Sequence, residues 1–141
     1  MSYLFPFIVP DVIAPVLTGL DLWDPAAEKL VLGTALVESG LRRSRQMGGG
    51  PARGIFQMEP ATFKDIERYL LKPGKLDLRA RAAKNCIGDP FDFGELAGND
   101  FLAAAFCRLK YLPDPHPLPD PDDIEGLAAY WKRTYNSPLG A

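Results

Sequence analysis

Fourteen prolines in 141 residues cut this chain into lengths that suit helices and spoil central strands. Proline has no N–H for a sheet ladder, yet it fits the first turn of a helix. Asp24-Pro25 is such a start: Asp24 can cap, and Glu28 favours the positive end of the dipole. Ala27, Leu30, Val31, Thr34, Ala35, Val37 and Glu38 follow at helical spacing, and Gly40 suits the end. Pro60 opens a helix to about Leu71, stopped by Pro73-Gly74. Leu78–Ile87 reads as a helix and Gly88–Gly98 as a loop. Asn99 caps a helix with Phe101, Leu102, Ala105, Phe106, Leu109 and Leu112 on its apolar side. Five prolines from Pro113 to Pro121 make a stiff surface connector. Asp120-Pro121-Asp122-Asp123 repeats the cap, proline and acid pattern, and a last helix runs to about Thr134. The expected architecture is mainly α, one domain over residues 1–141.

Residues 1–22 are apolar but broken by Pro6, Pro10, Asp11 and Pro15. No Lys or Arg precedes the apolar part, so the segment is a poor signal peptide and a poor membrane span. An irregular or short helical arm packed on the domain is expected. Gly54–Met58 is compatible with an extended segment or one helical turn, and a small hairpin near the glycine loop fits too.

The net charge of -2 gives no broad basic field, which argues against a nucleic-acid partner. Arg42, Arg43, Arg45 and Arg53 gather in one loop around Gly48-Gly49-Gly50-Pro51, either as solvated surface or as a contact for an anionic partner. Cys86 and Cys107 form no C-x-x-C pair and read as buried free thiols. His116 is the only histidine, in a proline loop, which argues against a His-based triad and against zinc. No metal or cofactor is expected. Trp23 and Trp131 read as core or rim residues.

Glu38 is the chemically informative residue. It ends an apolar helix, with Val31, Thr34 and Ala35 on its face. Desolvation and the negative helix end both disfavour its ionisation. A carboxylic acid still protonated near neutral pH can protonate a leaving oxygen, the step that breaks a glycosidic bond.

Four segments occur in a telling order: Glu38-Ser39, Gly54-Ile55-Phe56-Gln57, Pro60-Ala61-Thr62 and Tyr135-Asn136. Together they span about Leu30 to Asn136. In this the chain resembles the lysozyme-like soluble lytic transglycosylases and, more distantly, goose-type lysozymes. The resemblance implies a lysozyme-like fold with a hairpin or extended loop beside a cleft. It implies a site in which Glu38 is general acid and then general base. Gln57 would hydrogen-bond the sugar or its N-acetyl group, with Ser39 and Glu59 also at the substrate. Tyr135 would orient Glu38, and Asn136 would shape the same wall. Phe56 stands where the family often has Met, and Thr134 replaces an alanine.

Glu59 is the departure with chemical consequences. Either it serves the helix start before Pro60, or it is a second carboxylate that activates water, as the aspartate of goose-type lysozymes suggests. The implied partner is the peptidoglycan glycan strand. Family habit, small size and the lack of an export signal suggest a phage setting. The protein would then be a virion component among other virion proteins, or a lysis enzyme in the host cytoplasm before release to the periplasm and wall. The rival expectation is a non-catalytic virion or wall-binding protein on the same fold.

Overall fold

A computed structural model describes residues 7–41 and 50–135. Met1–Pro6, Arg42, Arg43, Arg45 and Asn136 lie outside the described residues. Among the described residues six α-helices carry the fold: α1 (Ala14–Gly19), α2 (Pro25–Glu38), α3 (Pro60–Leu70), α4 (Leu76–Ala83), α5 (Asp100–Tyr111) and α6 (Ile124–Thr134). A 3₁₀ helix, Phe93–Ala97, leads into α5. Among the described residues there is no strand, only one antiparallel bridge between Arg53 and Met58. None of these helices is long and apolar enough to cross a membrane.

The centre of the molecule is α5. From Leu102 to Leu109 every residue is buried, because helices surround it on several sides: α1, α2, α3 and α4 all pack on it. Apart from Arg108, whose guanidinium bonds the Leu22 carbonyl, the run is apolar on all sides, as a core helix is, and Ala103-Ala104-Ala105 keeps its surface narrow enough for close neighbours. Phe101 departs from the expected inward stripe and is 46% exposed. Four aromatic rings fill the space between α5, α3 and the 3₁₀ helix. Phe63 stacks on Phe106 at 4.3 Å and meets Phe93 edge-on at 5.5 Å, while Phe91 lies 5.5 Å from Phe106.

The caps follow the sequence, with one shift. Asp24 accepts from the Ala27 N–H at 2.9 Å, and Asn99 accepts from the Phe101 and Leu102 N–H groups. The last helix starts later than its Asp-Pro signal suggests. Asp123 is its cap, accepting from the Gly126 N–H, while Asp120 closes a turn onto the Asp122 N–H.

The N-terminal segment is part of the core. A widened π-type turn over Val9–Ile13 runs directly into α1, with the Ala14 N–H reaching back to the Val9 carbonyl. Ile8, Val12, Ile13, Val16, Leu17 and Leu20 are all buried. Helical spacing survives Pro10 and Pro15 because each lies in the first turn of its helical piece, where a missing N–H does least harm.

The connector from Pro113 to Pro121 is non-helical and is pinned to α6. Asp114 accepts from the His116 N–H and ring, from the Arg133 guanidinium and from the Thr134 hydroxyl. Tyr130 adds a bond to the His116 carbonyl. Cys107 is buried and Cys86 partly so, both as free thiols.

Candidate active site

Glu38 is the last residue of α2. The helix is carried there by an apolar face whose Leu30, Val31, Thr34 and Ala35 are buried. Beneath the acid, Thr34 gives its one hydroxyl proton to the Leu30 carbonyl at 2.7 Å. The 2.7 Å contact between Thr34 and Tyr111 therefore has the tyrosine as donor. This polar pair ties α2 to α5 inside the core.

After Glu38 the chain turns sharply. Gly40 and Leu41 both take left-handed backbone, at φ 66° and 69°, and Leu41 is buried. Leucine there is strained, and Ser39 holds the turn: its hydroxyl accepts from the Leu41 N–H. The same hydroxyl donates to the Ile55 carbonyl at 2.5 Å. Ser39 is thus engaged as a clip between the acid-bearing helix and the segment that follows the glycine loop.

That segment is a four-residue turn, Gly54-Ile55-Phe56-Gln57, closed by paired backbone bonds between Arg53 and Met58. It is the hairpin anticipated near the glycine loop, reduced to a single bridge. Gly54 sits at φ 80°, and a Cβ there would lie 2.7 Å from the Leu96 carbonyl oxygen. Only glycine fits this approach to the 3₁₀ helix. Gln57 also takes left-handed backbone, at φ 47°, and its amide donates to the Gly54 carbonyl at 2.9 Å. One of its two amide protons therefore holds the turn. Ile55 and Phe56 are buried beneath it. Arg53, grouped in sequence with the loop arginines, bonds the Gly50 and Ala52 carbonyls.

The third wall is α6. Tyr135 follows its last residue and is buried, but the hydroxyl donates to the Phe56 carbonyl at 2.7 Å. It fastens the turn, so the bond to Glu38 expected of Tyr135 goes elsewhere. Trp131, one helical turn earlier, makes that bond instead: its indole N–H donates to Glu38 Oε2 at 3.2 Å. Trp131 and Tyr135, four residues apart, share one face of the helix.

Burial pushes the Glu38 carboxyl above its ordinary range, and the bond from Trp131 partly opposes it. Tyr135 and Tyr111 have their hydroxyl pKa values raised, by burial first and then by neighbours that include Cys107 and Glu38. Both phenols stay neutral wherever Glu38 titrates, so they surround the acid without supplying charge. Glu59 heads α3 in extended backbone, and its side chain makes no capping bond. Its carboxylate is not committed to the helix start.

Trp131 also lines an apolar groove of about 470 Å³ between α2 and α6, with Leu36, Val37, Ile124 and Leu127. No group of three or more residues suited to holding a metal occurs among the described residues. Ser39 and Tyr135 both fasten the 53–58 turn that Gln57 helps to close, while Glu38 meets Trp131 of α6. No family model, curated protein or solved structure matches the chain.

Proposed function

We propose that this chain is a lysozyme-like peptidoglycan lytic transglycosylase, cutting the β-1,4 bond between N-acetylmuramic acid and N-acetylglucosamine. The observation that carries the reading is Glu38: a partly buried carboxyl at a helix end, its pKa raised by burial, held by a neutral donor. In this mechanism Glu38 protonates the glycosidic oxygen as the bond to the anomeric carbon breaks. The N-acetyl group assists at that carbon. Glu38, now a carboxylate, takes the proton of the 6-hydroxyl, whose oxygen closes a 1,6-anhydro ring. Glu38 ends the cycle protonated again. One placed acid/base contributes about 10²–10⁴-fold, and binding and distortion of the sugar supply the rest. The glycan strand is the partner, met from a phage particle or from the host cytoplasm.

A second reading is favoured by one observation, the uncommitted carboxylate of Glu59. If it activates a water, the enzyme is an inverting muramidase. The product distinguishes the two. Transglycosylation yields 1,6-anhydro muropeptides, lighter by one water than hydrolysis products. Hydrolysis yields reducing ends that vanish in Glu59→Gln.

The test is a zymogram on purified cell wall with mass spectrometry of the digest. Glu38→Gln is nearly isosteric, keeps an acceptor for the Trp131 indole and removes a desolvated acid. It should abolish cleavage while stability holds or rises slightly. Wall cleavage by folded Glu38→Gln within tenfold of wild type sinks the assignment. A wild-type protein that binds wall without cutting it supports the non-catalytic alternative.

A further inference from the structure

We propose that Trp131 is the positioning residue of the catalytic acid: its indole N–H holds Glu38 Oε2, so that the transferable proton resides on Oε1. The inference rests on the reading of Glu38 as general acid and goes beyond it in assigning each oxygen a role. An indole N–H is a donor only. In the neutral acid it pairs with the carbonyl oxygen, the better acceptor, which leaves the hydroxyl on the other oxygen. When Glu38 has released its proton, the same N–H faces a carboxylate, and hydrogen bonds to a charged partner are roughly twice as strong as neutral ones. The contact therefore strengthens as proton transfer proceeds, which is the condition for stabilising a transition state.

The fold supports the contact from both sides. Trp131 is partly buried against the core, and with Leu36, Val37 and Leu127 it lines the groove between α2 and α6. The 93 residues that separate it from Glu38 make this a tertiary contact with no local cause. Among the described residues, burial and this bond are the causes that shift the Glu38 carboxyl. From α5, Cys107 and Tyr111 have raised pKa values, chiefly through burial, and from α6 so has Tyr135. The 53–58 turn brings Gln57, which does not titrate, and Arg53, whose guanidinium bonds the Gly50 and Ala52 carbonyls. The Val9–Ile13 turn that packs on α2 carries Asp11, which is exposed. On α2 itself, Lys29 lies at the other end, bonded to Pro121 and Asp122.

The test compares the full-length chain with Trp131→Phe, with Tyr135→Phe, and with a chain carrying benzothienylalanine at position 131. The last keeps the ring shape and groove packing but replaces N–H by sulfur. The readouts are the Glu38 carboxyl titration by ¹³C NMR and the pH–rate profile of wall cleavage. Without the N–H, the Glu38 midpoint should move upward. A general acid works only while protonated, so the alkaline limb of the rate should move upward with it. The plateau rate should fall by less than about 10²-fold, the smallest contribution typical of a general acid. Tyr135→Phe should leave the midpoint in place. An unmoved or lowered midpoint in both Trp131 variants overturns the proposal. A midpoint that moves in a protein without wall-cleaving activity bears out the coupling and overturns the reaction.

Discussion

The approach of Gly54 to Leu96 permits a two-part test of how the turn beside Glu38 is held. Gly54→Ala carries two costs. At φ 80° a Cβ is strained by about 1–2 kcal/mol, and alanine recovers about 0.4–1 kcal/mol by stiffening the unfolded chain. The new methyl would also lie 2.7 Å from the Leu96 carbonyl oxygen. That is a backbone atom of a buried residue, and forcing such a contact apart costs about 1–3 kcal/mol. Gly40→Ala is the internal control: φ is 66° and nothing lies within 4 Å of the added carbon. It carries the strain and the entropy gain without the clash, a net of about 0–1.6 kcal/mol. Gly54→Ala should therefore be less stable than Gly40→Ala by about 1–3 kcal/mol. Urea unfolding followed by far-UV circular dichroism reads this difference. Because the Gln57 backbone and side chain both bond the Gly54 carbonyl, the proposed transglycosylase function implies that Gly54→Ala also loses more wall cleavage than Gly40→Ala. Equal stabilities within 0.5 kcal/mol, about the scatter of independent mutants, would refute the close-approach argument.

Two further outcomes follow from buried polar contacts. Thr34→Val should cost about 1–3 kcal/mol, because it leaves the buried Tyr111 hydroxyl without its acceptor, and thermal melts check it. Asp114→Asn should cost up to about 1 kcal/mol at pH 7, since the pairs with Arg133 and His116 are partly in water. Burial raises the Asp114 pKa, but the bonds from His116, Thr134 and Arg133 outweigh it and hold the carboxyl well below its usual range. A depressed folded pKa stabilises above the unfolded value of about 3.9 and loses that stabilisation as pH falls through the folded value. The gap between wild type and Asp114→Asn should therefore narrow below about pH 4, which urea unfolding at pH 7 and pH 3 would reveal.

Local chemistry made much of the fold legible. Asp24 and Asn99 declare their helices because a capping side chain needs only neighbours in sequence. The Asp120-Pro121 pair misled by three residues because Asp123 and Gly126 offered a competing cap. The helical nature of the N-terminal segment was obscured by two prolines, although its apolar spacing runs straight through them. At the site, Glu38 was legible as a partly buried helix end, while Gly54–Met58 read as extended, as one helical turn or as part of a hairpin, and is a tight turn closed by one bridge. The exchange of roles between Tyr135 and Trp131 was not legible, because which aromatic side chain reaches the acid depends on how α6 crosses α2. Ser39 read as a substrate contact by resemblance, while its hydroxyl is spent on the Ile55 carbonyl.

The wall made by α6 also sets when the site comes into being. A ribosome adds about 5–20 residues per second, so the 93 positions between Glu38 and Trp131 take roughly 5–20 seconds to synthesise. During that interval the nascent chain carries its acid on a helix with no indole to hold it. The 53–58 turn likewise awaits the Tyr135 hydroxyl. The contact between Glu38 and Trp131 and the bond from Tyr135 to the turn thus form only after both residues have been made, and a chain that stops short of Trp131 leaves Glu38 without its indole partner.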